Sequence, residues 1–125
     1  MRSLVISVLL VLLCGTIVAA APFRDITSRE AKALIDKNPK VFLLDVRTPD
    51  EFRQGRIAGA VLIPIGEFER RAKEVPQGRP IIVFCAVGSR SRQVSQYLAQ
   101  QGYKEVYNMT DGIMGWYRNG LPVAR

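Results

Sequence analysis

From Phe23 onward the apolar positions fall into short blocks with two alternating periods. Thr27-Ser28-Arg29-Glu30 has the spacing of a capping box, with Thr27 as the N-cap and Glu30 reaching back. Ala31, Leu34 and Ile35 follow at helical spacing, and Asn38-Pro39 ends that helix. Val41-Phe42-Leu43-Leu44 is an unbroken apolar run, the pattern of a strand buried on both faces. Thr48-Pro49-Asp50-Glu51 opens a second helix, with Thr48 as cap and Pro49 at the first helical position. A third strand candidate covers residues 60–63, and a short charged helix residues 67–75. Pro76-Gln77-Gly78 turns the chain into residues 80–84, the most apolar strand candidate of all. The pattern then predicts a helix from about Ser91 to Gln101, with Val94, Tyr97 and Leu98 on one face and Gly102 as its stop. Val106-Tyr107 reads as a last short strand and residues 112–118 as a last helix. Strands alternating with helices imply a parallel sheet covered on both faces, an α/β domain. In such sheets ligands sit beyond the carboxyl ends of the strands, and Cys85 lies at one of those ends.

The first twenty residues have a different pattern. Met1-Arg2-Ser3 is a short basic start, and the run from Leu4 to Val18 carries no charge. Val18-Ala19-Ala20-Ala21-Pro22 then supplies small residues of the kind a signal peptidase cuts behind. Residues 1–20 therefore read as a secretory signal peptide cut after Ala20, leaving residues 21–125 as one exported domain, periplasmic or secreted. A cut after Ala21 would place Pro22 directly beyond the scissile bond. An uncleaved membrane anchor is the alternative, because residues 4–21 approach the roughly 20 residues that span a bilayer. Cys14 is a poor lipoprotein site, since bulky Leu13 precedes it.

Composition narrows the chemistry. The chain has two cysteines and no histidine among its 125 residues. Removing the leader takes Cys14 with it, so Cys85 stands alone in a compartment where structural cysteines usually pair. Without histidine, Cys-His and Ser-His-Asp catalysis and imidazole-bound metals are excluded. No metal and no cofactor is expected. The formal charge is +7, from arginines scattered along the chain. That distribution reads first as a solvated surface, with attraction of small anions as the functional extra, and it shows no aromatic-interleaved basic stretch for nucleic acid.

Cys85-Ala86-Val87-Gly88-Ser89-Arg90 joins the most apolar strand to a helix. Gly88 permits a backbone twist closed to other residues, so successive N–H groups can turn inward as an anion-binding nest. The following helix adds the positive end of its dipole, and Arg90 adds a full charge. All three favour thiolate over thiol, and such surroundings lower a cysteine from about 8.5 into the range of roughly 3.5–7.5. An ionised nucleophile needs no base, which fits the missing histidine. Ser89 and Ser91 either cap the helix or donate to the sulfur. Trp116 is assigned to the core, with a pocket wall as the alternative. Asp45 and Arg47 follow a buried strand and are expected to tie neighbouring loops by charged hydrogen bonds. Arg47 and Glu51, four apart, are expected to pair.

Leu44-Asp45-Val46-Arg47-Thr48-Pro49-Asp50-Glu51-Phe52, then Gly55-Arg56-Ile57-Ala58-Gly59-Ala60 and Ile63-Pro64, resembles the first signature of the rhodanese family. Cys85 to Arg90 resembles that family's active-site loop. Asp111-Gly112-Ile113-Met114-Gly115-Trp116, followed by Gly120-Leu121-Pro122-Val123, resembles its closing segment. The likeness runs from about Phe23 to Val123. The family often has histidine where this chain has Arg56, a position in the structural motif rather than the loop.

The resemblance implies a five-stranded, mostly parallel sheet flanked by helices on both faces. It implies a sulfurtransferase in which Cys85 carries a sulfane sulfur as a persulfide. Arg90, Ala86, Val87, Gly88 and Ser89 would then bind the substrate, with Asp45, Arg47 and Glu51 in support. Related phosphatases and arsenate reductases resemble C-x5-R, whose extra residue makes room for a tetrahedral anion; the C-x4-R spacing here suits a persulfide sulfur. The expected partners are a small anionic donor such as thiosulfate and a thiol or cyanide acceptor. A membrane enters only if the leader stays attached, and an exported free thiol also needs a reductant. The alternative is a persulfide carrier that docks on a partner and turns thiosulfate over little.

Overall fold

The computed structural model describes residues 14–15 and 22–125. The expected cut after Ala20 lies outside the described residues, as does all of the leader except Cys14 and Gly15. The chain runs β1 (Arg24–Ile26), α1 (Ser28–Lys37), β2 (Phe42–Asp45), α2 (Pro49–Gln54), β3 (Val61–Leu62) and α3 (Ile65–Arg71). A 3-10 turn over Ala72–Glu74 leads to β4 (Ile81–Phe84), α4 (Ser89–Gln100), β5 (Val106–Met109) and α5 (Gly112–Arg118). The strands form one sheet in the order β1-β5-β4-β2-β3, with every pairing parallel. The five-stranded sheet is thus present. An antiparallel bridge, Arg56 to Ala124, pins the C-terminal tail beside α2.

β4 sits at the centre because nothing in it tolerates water: Ile81, Ile82, Val83 and Phe84 are all fully buried. Burying such side chains contributes about 1.5–3 kcal/mol each. Successive strand residues point to opposite faces. Ile81 and Val83 therefore join Leu44, Val46, Phe68, Val94 and Leu98 in the core under α3 and α4. Ile82 and Phe84 join Ala31, Met109, Ile113 and Trp116 under α1 and α5. Trp116 is a core residue, 2% exposed, with Nε1 donating to Pro122 O at 2.8 Å.

Both predicted N-caps are present. Thr27 and Glu30 bond reciprocally at the start of α1, and Thr48 and Glu51 do the same at α2. Several boundaries differ from the pattern-based reading; α4, for one, starts at Ser89 rather than Ser91. The helix expected over 67–75 starts at Ile65 and breaks after Arg71 into the 3-10 turn. β5 runs on to Met109, because the polar Asn108 is buried and bonded inside it. β1 was not visible in the pattern at all: three residues, one of them apolar, form an edge strand held by β5.

Candidate active site

Cys85 is the first residue past β4 and keeps the facing of Ile81 and Val83, so its side chain lies on the α4 side of the sheet and is fully buried. Two backbone amides donate to its sulfur, and the Ser91 hydroxyl stands beside them. Gly88 N lies 3.1 Å from Sγ, Ser91 N 3.4 Å and Ser91 Oγ 3.4 Å.

The loop turns its amides inward because its carbonyls are engaged elsewhere. Cys85 O accepts from Ile113 N at 2.9 Å and Ala86 O from Met114 N at 3.2 Å, both at the start of α5. Gly88 O accepts from Arg92 N at 3.1 Å and from Asn108 Nδ2 at 3.4 Å. Two glycines make this docking sterically feasible. Gly88, the α4 N-cap, has φ +97°, and a Cβ there would strike the Thr110 carbonyl. Gly112 has φ +62°, and a Cβ there would strike the Ala86 carbonyl. Only glycine takes these angles without strain.

Burial pushes the Cys85 thiol up. The hydroxyl of Ser91 and the amides of Ser91, Val87 and Gly88 outweigh it and hold the group below its ordinary value. Of the loop amides the sequence pointed to, Gly88 N faces the sulfur, and Ser91 N joins it from the first turn of α4. Val87 and Ser89 are exposed at the loop tip, while Ala86 is half-buried.

Arg90 sits at the rim, and its partner differs from expectation. Arg47 does not pair with the Glu51 carboxylate. It closes on Asp45, with Nη2 at 2.8 Å from Oδ2 and Nε at 3.0 Å from Oδ1. It also donates to Gly55 O at 2.8 Å and to Glu51 O at 3.3 Å. Burial of both side chains and the short two-residue span favour this closed pair. Glu51 is thereby free to grip Arg90, Nη1–Oε1 2.8 Å and Nη2–Oε2 3.0 Å, across 39 residues of sequence. Arg90 holds the Glu51 carboxyl down at about 2, against burial that raises it. Glu51 in turn raises Arg90 above its ordinary value, and Cys85 adds to the effect. The rim thus carries a bidentate ion pair rather than an open cation.

The sequence reading did not single out Asn108 or Asp25. Asn108 Oδ1 accepts from Ser91 Oγ at 2.6 Å, and Nδ2 lies 3.3 Å from Asp25 Oδ1. The signal that would have found Asn108 is an amide placed among apolar strand residues, where a buried polar group demands partners.

Known proteins resemble this arrangement. The Rhodanese-like domain family model matches residues 27–119. A sulfurtransferase from Allochromatium vinosum is 38% identical over 100 residues, covering 80% of this chain and 94% of that one. The thiosulfate sulfurtransferase of Coxiella burnetii is 30% identical over 94 residues, covering 75% and 87%. The crystal structure of a rhodanese-related protein from Thermoplasma volcanium superposes with TM-score 0.74 at 32% identity, covering 82% of this chain and 98% of that one. With this fold, this loop and these relatives, the chain belongs to the rhodanese-like sulfurtransferase family.

Proposed function

We propose that the chain is an exported sulfurtransferase that moves a sulfane sulfur from thiosulfate, or a related anionic donor, to cyanide or a thiol through a persulfide on Cys85. The observation that carries this reading is the convergence of Gly88 N, Ser91 N and Ser91 Oγ on one buried sulfur. Those donors stabilise an anion where water does not reach, so the nucleophile is ionised in advance. The Cys85 thiolate attacks the outer sulfur of thiosulfate. The S–S bond of the donor breaks, and sulfite leaves with its electron pair. The persulfide now carries its negative charge on the terminal sulfur, held by the ring of loop amides. An acceptor nucleophile attacks that sulfur in a second half-reaction and restores the thiolate, the pattern of ping-pong kinetics. Export rests on the leader sequence. Thiosulfate as donor is supported by the loop amides that face the sulfur and by the name of the Coxiella burnetii relative.

Turnover of the purified protein with thiosulfate and cyanide tests the proposal. Many sulfur atoms moved per chain is the expected result. One sulfur loaded without release supports the persulfide-carrier alternative, and no loading from any donor refutes both.

The ion pair at the rim gives a second prediction. Glu51 competes with an incoming anion for Arg90. Arg90→Ala should raise KM for thiosulfate about tenfold, the worth of one charge-assisted hydrogen bond. An uncharged sulfur donor should be affected little. Glu51→Gln should lower KM for thiosulfate, because it releases the guanidinium. Steady-state kinetics with both donors check the pair, and equal effects on both would remove Arg90 from anion binding.

A further inference from the structure

Ser91 has one hydroxyl proton and two acceptors. Asn108 Oδ1 lies 2.6 Å from Ser91 Oγ on one side, and Cys85 Sγ lies 3.4 Å away on the other. The orientation of the Asn108 amide is fixed by its surroundings. Turned over, its oxygen would face the Asp25 carboxylate and the Gly88 carbonyl, both of which only accept. Ser91 and Asn108 are wholly or almost wholly buried, so no water substitutes for either partner cheaply. Asp25 and Asn108 are register partners on β1 and β5, which locks the amide to the sheet. Arg92, 3.6 Å from Asp25, holds that carboxylate from the α4 side.

We infer that Asn108 is a positioning residue of the sulfur-transfer site, competing with Cys85 for the Ser91 hydroxyl proton and so favouring the state in which Sγ carries no charge. This inference rests on the sulfur-transfer role of Cys85. With Cys85 as thiolate, Ser91 is drawn to the sulfur and Asn108 Oδ1 is left short of a donor. Once a second sulfur is attached, the charge moves to the terminal atom. Sγ then becomes a weak acceptor, and the Ser91 proton returns to Asn108. The amide thus offsets part of the stabilisation the nest gives to the empty site. It tilts the balance toward the loaded one without touching the substrate.

The test reads the free thiol, so its outcome is separable from that of the turnover assay. The rate of Cys85 alkylation by iodoacetamide is followed against pH in a Cys14→Ser background. Asn108→Leu, close in size, and Asn108→Val, suited to a strand, leave Ser91 only one acceptor. Both should move the midpoint down by about half a unit to one unit, the worth of one hydrogen bond. Ser91→Ala should move it up, and Ser91→Ala with Asn108→Leu should match Ser91→Ala alone. The charged groups on the elements packed about the loop are Arg90 and Arg92 on α4, Glu51 on α2, Asp45 at the end of β2 with Arg47 just beyond it, and Asp25 on β1. They are common to all variants. General damage to the loop would raise the midpoint instead, so the sign separates the two causes. An upward or absent shift in the Asn108 variants, or a shift that survives Ser91→Ala, overturns the inference. A second measurement needs no change at Asn108. In the Cys14→Ser chain the Asn108 side-chain amide signal in nitrogen-edited NMR should titrate with Cys85, and it should stop doing so in Ser91→Ala. A signal that ignores the thiol likewise overturns the inference.

Discussion

Thiosulfate treatment of the Cys14→Ser chain should add one sulfur atom to the intact mass, and Cys85→Ser in the same background should take up none. The expectation follows from the burial and bonding of one atom. Sγ is out of solvent, yet it faces two backbone amides and a hydroxyl, so the charged form is stabilised where a bare apolar pocket would suppress it. Alkylation of Cys85 should accordingly have its midpoint below the ordinary value of about 8.5 in the folded chain and return to it in denaturant. The same difference acts on stability. Folding favours the thiolate, so the folded state binds fewer protons. The contribution of Cys85 is complete above the unfolded value and is lost as pH falls through the lowered one. Relative to Cys85→Ser, the protein should therefore gain stability as pH rises through that window, measured by denaturant unfolding. A midpoint near 8.5 in the folded state, together with no sulfur captured from any donor, would remove Cys85 as the carrier of the reaction.

Arg47→Ala should cost about 3–5 kcal/mol of folding stability, the range for removing one partner of a buried ion pair. Asp45 is fully buried and Arg47 is 3% exposed. The guanidinium satisfies both carboxylate oxygens and also binds the carbonyls of Gly55 and Glu51, so it ties the end of β2 to the middle of α2 and to its C-cap. Removing it leaves a carboxylate without its counter-charge and an unpartnered carbonyl at Gly55. Arg47→Lys should rescue little, because an ammonium cannot reproduce the planar fork. Asp45→Leu with Arg47→Met should recover much of the loss, since two apolar groups leave no charge behind. Urea unfolding of the four proteins checks the series. A loss below about 1 kcal/mol for Arg47→Ala, the scale of an exposed pair, would show that the pair is not integral to the fold.

The parts of this molecule that local chemistry dictates were readable in the chain itself. The capping box at Thr27, the Pro49 helix start and the four apolar residues of β4 each depend on neighbours within a few positions. Cys85, Gly88 and Arg90 mark the candidate site in the sequence itself. What remained hidden depends on distant partners. Glu51 was matched to Arg47, four residues away, because helical spacing is visible in sequence; its actual partner is 39 residues off and reached only through the fold. Asn108 shortened the predicted β5, since an amide reads as exposed until Ser91, Asp25 and Gly88 are brought around it. β1 has one apolar residue in three, and its position comes from β5 rather than from itself.

The carbonyls of Cys85 and Ala86 are taken by amides of Ile113 and Met114, near the C-terminal end of the chain. A polypeptide made from its N-terminus completes Cys85 well before those partners exist. Until α5 docks, the carbonyls of Cys85 and Ala86 lack the partners that help turn the loop's amides toward the sulfur. The surroundings of Cys85 are thereby completed by a segment that is made about 28 residues after it.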